Sequence, residues 1–193
     1  MRCQEAGYSL LEMAVVIALG LITSGVAMVQ MSKAVTALDA DVAANYVVSQ
    51  MDYARQVAVD ERRNVVLGFN GNNEVIVTRL NSDGSTTVLS DGTLPSGYTF
   101  AFPSGVKDTP DGFLAGTAVY ASSGTSGLAV FIGAGTSGTF QGDGTFVDNN
   151  GVLLNGSVFT MRSGSGSARA ETLTGSTGKV KEYWVSGTTW VVR

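Results

Sequence analysis

The fold of this chain is decided by residues 7–31, which read GYSLLEMAVVIALGLITSGVAMVQM. Glu12 is the one charged residue in this stretch, and the uncharged run that follows it, residues 13–32, has 20 residues. At about 1.5 Å per residue, a helix of that length spans about 30 Å, the thickness of the hydrocarbon core of a bilayer. The stretch therefore predicts a membrane-spanning helix with a carboxylate near its start.

Glu12 is costly at that depth. A carboxylate inside a bilayer costs about 2.5–3.5 kcal/mol on insertion scales, so an intramembrane charge indicates a function. An ordinary secretory signal has a basic segment followed by an apolar region of about 7–15 residues. Here the apolar run is longer, and the preceding residues carry only Arg2 against Glu5. A plain membrane anchor in which Glu12 has no function remains the alternative.

The helix is expected to extend far beyond the apolar run. Residues 26–67 contain neither glycine nor proline, which indicates one helix from residue 8 to about residue 63, with Arg62 and Arg63 in its last turn and Asn64 as its cap. In its second half, apolar residues at spacings of three or four predict a stripe that packs on a globular domain. The stripe is Val35, Leu38, Val42, Tyr46, Tyr53 and Val57, with Val47, Met51, Ala54 and Ala58 beside it.

After residue 64 the period of the pattern changes to two, which indicates strands. Short β-branched and aromatic runs alternate with turns, a hairpin is predicted around residues 70–73, and residues 104–117 are expected to form an irregular loop. The sequence thus predicts an α+β fold, in which a long N-terminal helix packs on a C-terminal antiparallel β-sheet or sandwich domain. The predicted strands are residues 64–69, 74–80, 86–89, 98–102, 118–121, 128–132, 145–147, 152–154, 157–162, 170–173, 179–185 and 189–192.

The start of the chain resembles the class III signal of type IV prepilins. A short polar leader ends in Gly7, the aromatic Tyr8 follows, and Glu12 stands four positions after it. The resemblance implies cleavage after Gly7 by prepilin peptidase and methylation of the new amino terminus at Tyr8. It divides the chain into a leader (1–7), a transmembrane and filament-core helix half (8–32), an amphipathic helix half (33–63) and a β-rich domain (64–193).

Three further stretches are similar to the FimT/GspH family of minor pilins and pseudopilins. Residues 54–67, ARQVAVDERRNVVL, look like the end of that family's long helix and its first strand. Residues 140–145, FQGDGT, look like its aromatic-x-x-Asp-Gly-Thr turn. Residues 177–181, TGKVK, resemble its Thr-Gly-Arg-x-Arg motif with lysine at both arginine positions. The order of the three stretches along the chain indicates this family.

The resemblance implies a non-catalytic subunit that assembles through its N-terminal helix into a type II secretion pseudopilus or a type IV pilus. Its partners would be other pilin or pseudopilin subunits, prepilin peptidase and the bacterial inner membrane. The protein would cross that membrane once, with a periplasmic β-domain, before it enters the filament. There Glu12 would meet the charged amino terminus of a neighbouring subunit. The sequence does not separate the two kinds of filament, nor a tip subunit from a shaft subunit.

A DNA-binding minor pilin is the alternative within the family. Residues 162–193 hold five cations and two acids, whereas residues 1–161 hold seven cations and fourteen acids. In some FimT proteins the Gly-Arg-x-Arg motif binds DNA, so Lys179, Lys181 and Trp184 are candidate residues for phosphate contact and base stacking. The acidic remainder and the two lysines favour an ordinary sheet strand instead, with inward residues Val180, Tyr183 and Val185.

Other chemistry has little support in the composition. The chain has no histidine, and its one cysteine, Cys3, lies in the leader, which excludes a Ser-His-Asp triad and, after processing, a disulfide or a Cys/His zinc site. Asp83, Asp143 and Asp148 lie in turns where calcium ligands can occur, but without the spacing of a calcium loop. We interpret them as turn residues and expect no enzymatic activity, metal or cofactor.

Overall fold

The computed structural model describes residues 9–103, 105–106, 109–113, 136–162 and 167–193. The chain divides into two compact units, Met1–Leu38 and Asp39–Arg193. The predicted strands at residues 118–121 and 128–132 lie outside the described residues. The elements are α1 (Leu10–Glu61), β1 (Val65–Asn70), β2 (Glu74–Leu80), β3 (Thr86–Thr93), β4 (Tyr98–Phe100), β5 (Ser137–Phe140), β6 (Phe146–Val147), β7 (Gly156–Arg162), β8 (Ala168–Thr174), β9 (Lys179–Ser186) and β10 (Thr189–Val192).

The predicted long helix is confirmed as α1, but its end differs from the prediction. The amide of Arg62 donates to the carbonyl of Val59 at 3.3 Å, and the amide of Arg63 donates to that of Ala58 at 3.1 Å. Arg62 has a φ of 50°, so the helix ends in a Schellman motif with Arg62 as its left-handed residue. The predicted cap at Asn64 is wrong, because the Asn64 carbonyl accepts an amide hydrogen from β2.

The strands form two five-stranded sheets that are antiparallel throughout. The first sheet has the order β3-β2-β1-β5-β6, and the second has the order β10-β9-β8-β7-β4. The predicted hairpin is confirmed: β1 pairs with β2 so that Asn70 lies opposite Glu74, and Gly71 takes a positive φ of 57° in the turn. The two sheets and α1 together confirm the predicted α+β class.

Two details of the first sheet depart from the prediction. β5 has no counterpart among the predicted strands, because its sequence, Ser-Gly-Thr-Phe, has one apolar residue and a glycine of low strand propensity. The predicted strand at residues 152–154 makes only an isolated bridge between Leu153 and Val147. Asp148 explains this outcome, since its carboxylate accepts the amide hydrogens of Asn150 and Val152 and holds the chain in a turn.

One hydrophobic core joins the second half of α1 with both sheets. The first sheet contributes buried residues such as Leu67, Val77 and Phe140, and the second contributes Val158 and Leu173. The helix contributes mainly small side chains, all of them fully buried: Ala40, Ala43, Val47, Met51, Ala54 and Ala58. Small side chains let the helix backbone lie close to the sheets, since interiors pack at the density of organic crystals.

The buried face of α1 is therefore not the predicted stripe. Val35, Leu38, Val42 and Tyr53 are 46%, 63%, 56% and 41% exposed. Tyr46 and Val57 are only partly buried against the core. The prediction that this half of the helix packs on the domain is confirmed, and the residues predicted beside the stripe, Val47, Met51, Ala54 and Ala58, are fully buried. The stripe residues themselves are less buried, because the alanine-rich face allows the closer approach.

A smaller cluster covers the other face of the second sheet. It consists of the buried residues Phe159, Ala168, Ala170, Tyr183 and Trp190, and the rings of Phe159 and Trp190 lie 5.6 Å apart. Side chains from the segment after β4, among them Phe102 and Val106, pack on this cluster. The central strand β8 is consequently covered on both faces, and six of its seven residues are buried.

Candidate functional site

The predicted processing site, Gly7 and Tyr8, lies outside the described residues, which begin at Ser9. Ser9 caps α1: its hydroxyl oxygen accepts the amide hydrogen of Leu11 at 3.2 Å, and its carbonyl accepts that of Met13 at 3.2 Å. A serine in this position supplies an acceptor for one of the unpaired amides at a helix start. The cap of the helix, Ser9, therefore directly follows the aromatic residue of the predicted signal, and the helix begins at Leu10.

Glu12 is the third residue of α1, in its first turn. The spacing Ser9-x-x-Glu12 is that of a capping box, a signal in the sequence that the prediction did not use. A carboxylate at this end of a helix gains about 0.3–1 kcal/mol from the helix dipole. Helix geometry thus offsets part, but only part, of the cost of placing this charge in an apolar segment.

The carboxylate of Glu12 is accessible. Its neighbours Leu11 and Met13 are 76% and 51% exposed, and within the described part of the chain Glu12 has no ion-pair partner. The side chain is therefore free to meet a cation that another molecule supplies.

The first unit carries an apolar surface that none of its described residues covers. The stretch Leu10–Met28 is long and apolar enough to cross a membrane, and none of it is buried. Leu10, Val16, Leu21 and Met28 are all more than half exposed. A continuous exposed apolar surface of this kind indicates contact with lipid or with other apolar helices.

The three stretches that resemble the FimT/GspH family meet in the β-rich unit. Gly178, with a φ of 62°, lies so close to Arg55 that a Cβ there would come within 2.6 Å of the Arg55 Nε and would also overlap the Gly144 carbonyl oxygen. A Cβ at Gly144, where φ is 85°, would lie 3.5 Å from the same Arg55 Nε. The arginine of the helix thus lies across both glycine turns.

A second contact joins the same parts of the chain. A Cβ at Gly142 would lie 3.0 Å from the Cα of Arg62, the residue that ends α1. Glycines are therefore required where the turn after β5 and the turn after β8 approach the helix end. The three stretches, which are far apart in the sequence, thus pack against one another at a single junction in the structure.

Lys181 is not a free cation. Its ammonium pairs with Asp111 at 2.5 Å, and Asp111 also accepts hydrogen bonds from the hydroxyls of Thr172 (2.6 Å) and Tyr183 (2.8 Å). Asp111 belongs to the segment in which the sequence indicated only an irregular loop. The carboxylate fastens the described residues 109–113 to the outer face of the second sheet, a role that no motif in the sequence signals.

Asp111 and Lys181 each stabilise the charged form of the other. Burial raises the pKa of Asp111, but the hydrogen bonds from Lys181, Thr172 and Tyr183 and the Lys181 charge outweigh burial, so that this pKa lies below its usual value. The hydrogen bond to Asp111 raises the pKa of Lys181. Both groups are therefore charged at neutral pH.

The three candidate DNA-binding residues do not share one surface. Lys179 is exposed, Lys181 is partly covered by its contact with Asp111, and Trp184 is 49% exposed. Because successive side chains of a strand point to opposite faces, Lys179 and Lys181 lie on the outer face of β9 and Trp184 lies on the other. The predicted inward residues also divide, since Val180 packs on the main core and Tyr183 and Val185 pack on the smaller cluster.

The three turn aspartates support their own backbone. Asp83 accepts the amide hydrogen of Ser85, Asp143 that of Thr145, and Asp148 those of Asn150 and Val152, all at 2.8–2.9 Å. Hydrogen bonds from the hydroxyls of Ser85 and Thr145, and next from the amides of the same residues, lower the pKa of Asp83 and of Asp143. The amide hydrogen bonds of Val152 and Asn150 lower the pKa of Asp148. The interpretation of these residues as turn residues is confirmed, and no group of three possible metal ligands occurs among the described residues.

Comparisons of the chain with protein-family models, with curated proteins and with solved structures gave no match. The resemblance to prepilins and to the FimT/GspH family therefore rests on the residues quoted above.

Proposed function

We propose that this protein is a non-catalytic minor pilin or pseudopilin subunit, which assembles through its N-terminal helix into a type IV pilus or a type II secretion pseudopilus. One observation carries the proposal: an apolar helix with an entirely exposed surface begins with a capped turn that holds a single accessible carboxylate, Glu12. The prepilin-like residues Gly7 and Tyr8 directly precede that turn.

The exposed apolar surface supports assembly in two environments. Burial of one large aliphatic side chain contributes about 1.5–3 kcal/mol, so both a bilayer and a bundle of like helices stabilise this segment. Before assembly the helix lies in the bacterial inner membrane, where prepilin peptidase acts on the leader, and the β-rich unit lies in the periplasm. In the filament the helix packs among the corresponding helices of other subunits.

Glu12 supplies the specificity of that packing. A lone carboxylate among apolar helices is strongly unfavourable, because the charge loses its hydration. The amino terminus of a neighbouring subunit at Tyr8 is a cation of the right kind, and attraction between opposite charges is much stronger in a medium of low dielectric constant. Their pairing fixes how far one helix is displaced along the next.

The test compares assembly with insertion. Glu12→Val is expected to insert into the membrane at least as well as the wild type, since it removes a buried charge, and to enter filaments poorly, since it removes the partner of the amino terminus. Leu11→Val, a neutral change at the adjacent position, is the matched control and should assemble normally. The amount of each variant in the membrane fraction measures insertion, and its amount in sheared filaments measures assembly. If Glu12→Val reaches wild-type levels in filaments, the charge-pairing account is refuted.

DNA uptake is the less supported proposal. Lys181 is engaged with Asp111, and Trp184 lies on the opposite face from both lysines. Only Lys179 remains exposed on the face that the motif would use. A single lysine gives a weak electrostatic site, because affinity for nucleic acid grows with the number of neutralised phosphates.

A further inference from the structure

Glu171 occupies an unusual position in the middle of β8. Its neighbours on the same face are Arg169, which bonds to Asp41 of α1, and Leu173, which lies in the helix-containing core. Glu171 therefore faces the helix. The residue is completely buried, and neither carboxylate oxygen has a hydrogen-bond partner. Glutamate is almost never fully buried unless it is paired.

On the face of the sheet where Glu171 lies, the neighbouring strands supply no free cation. On β7 it lies opposite Val158, and the next inward residue, Thr160, also has a buried hydroxyl without a partner. On β9 it lies opposite another acid, Glu182. The nearest arginine of β7, Arg162, stands at the end of that strand, 3.9 Å from Asp39 of α1.

The two arginines on the remaining elements are already bound to acids. Arg169 holds Asp41 through two nitrogens, at 2.8 Å from Nε and 2.7 Å from the terminal nitrogen. Arg193, just after β10, lies 2.8 Å from Glu182 and 3.5 Å from Asp41. Two cations and two acids thus form a neutral clamp between α1 and the second sheet, in which Glu171 would be an excess negative charge.

Glu171 is consequently protonated under conditions in which an exposed glutamate is ionised. Burial, and next the charge of Glu182, raise its pKa well above the usual value, and the interaction with its own backbone amide and the charge of Arg169 lower it only in part. The clamp and the acid are adjacent, since Arg169 is two residues before Glu171 on the same face of β8.

We propose that Glu171 is the proton-dependent element of this clamp: while protonated it leaves Arg169 bound to Asp41, and when it loses its proton the new carboxylate competes with Asp41 for Arg169. The helix segment around Asp41 then loosens from the second sheet. The unfolded chain loses this proton at lower pH than the folded protein, so the contribution of Glu171 to the clamp weakens as the pH rises from the unfolded-state pKa to the folded-state pKa. This inference is independent of the proposed function in filaments.

The protonation state is tested directly by infrared spectroscopy of the full chain in detergent micelles. The wild type is expected to show the C=O stretch of a buried protonated carboxylic acid at neutral pH, and Glu171→Gln is expected to lack it. Glu182→Gln is the matched control, since it removes the acid opposite Glu171 and should keep the band. A wild-type spectrum without the band would overturn the proposal.

The clamp is tested by hydrogen exchange at a series of pH values, corrected for the intrinsic exchange rate. In the wild type, protection of the helix around Asp41 is expected to fall by up to tenfold per pH unit between the usual pKa of a glutamate and the raised pKa of folded Glu171, and to level off above it, whereas in Glu171→Gln this fall should be absent. Glu171→Met is neutral and needs no hydrogen bond, so it should behave like Glu171→Gln. It replaces Glu171→Gln in the experiment if the buried amide disturbs folding. Equal pH dependence in the wild type and these variants would exclude Glu171 as the switch.

Discussion

Arg55 and Gly178 lie in direct contact, although 123 residues separate them in the sequence. A Cβ at residue 178 would stand 2.6 Å from the Arg55 Nε and would overlap the backbone oxygen of Gly144. The contact holds the turn after β8 against the C-terminal end of α1. It also gives a packing reason for the glycine in the TGKVK stretch, residues 177–181.

Gly178→Ala is therefore expected to destabilise the β-rich unit by about 2–4 kcal/mol. The cost combines a left-handed φ with a clash against backbone, which cannot move as a flexible side chain can. Urea unfolding of the full chain in micelles, followed by tryptophan fluorescence, measures the effect.

Gly187→Ala provides the matched control for Gly178→Ala. Gly187 has nearly the same φ, 64°, but a Cβ there would meet nothing within 4 Å. This variant should lose only about 1 kcal/mol, the cost of the backbone conformation alone. Equal losses in the two variants would show that the contact with Arg55 has no energetic importance.

Substitutions on the two faces of α1 should change the free energy of unfolding to different extents. Ala43→Leu adds volume to a fully buried position and is expected to cost about 1–3 kcal/mol through overpacking. Val42→Ala, on the adjacent exposed position, should change the free energy of unfolding by less than about 0.5 kcal/mol. Urea unfolding of both variants measures this difference. A larger loss of stability for Val42→Ala than for Ala43→Leu would indicate that the stripe predicted from the sequence is the buried face.

The helix shows that the local sequence pattern predicts an element but not which of its faces is buried. The apolar run of residues 13–32 and the absence of glycine and proline from residues 26–67 together predicted α1, because both are typical of a continuous helix. The buried face was not predictable in the same way. Hydrophobicity ranks valine, leucine and tyrosine above alanine, whereas the space between the helix and the two sheets admits alanine more readily.

For the candidate sites too, local sequence predicts a single residue but not its partners from distant segments. Glu12 was predictable, because one charge within an apolar run is visible in the sequence and needs no knowledge of other segments. The partner of Lys181 was not, since Asp111 lies 70 residues away in a segment without strand pattern. Glu171 was equally hidden, because its burial depends on β7, β9 and α1 together.

Removal of Asp111 should release the segment fastened to the second sheet. Asp111→Asn is expected to cost about 1–3 kcal/mol at pH 7, the range for hydrogen bonds with charged groups. Because the pKa of Asp111 is lowered in the folded protein, its contribution is present above the unfolded-state pKa and is lost as the pH falls through the folded-state pKa.

The difference between wild type and Asp111→Asn should therefore disappear in acid. Denaturation at pH 7 and near pH 2 measures it, and Asp60→Asn, an exposed helix carboxylate, is the control with little expected effect. A difference that persists unchanged in acid would contradict the assigned role of the Asp111 charge.

Binding to DNA is expected to be immeasurable at physiological salt. The net charge of the chain is −4, and Lys181 is held by Asp111. Fluorescence anisotropy with labelled single-stranded DNA tests this expectation. Clear binding that Lys179→Ala weakens, with a salt slope reduced by about 0.7 per lost contact, would instead support the uptake role.

The amino terminus of the mature protein tests the central claim most directly. Intact-mass analysis of the protein from cells that contain prepilin peptidase should give a chain that starts at N-methylated Tyr8, while Gly7→Ala should remain unprocessed in the membrane. These results are expected because Gly7, Tyr8 and Glu12 have the spacing of a prepilin signal. A mature chain that starts after the apolar run, near residue 27, would identify an ordinary secretory signal and contradict the assignment to the pilin class.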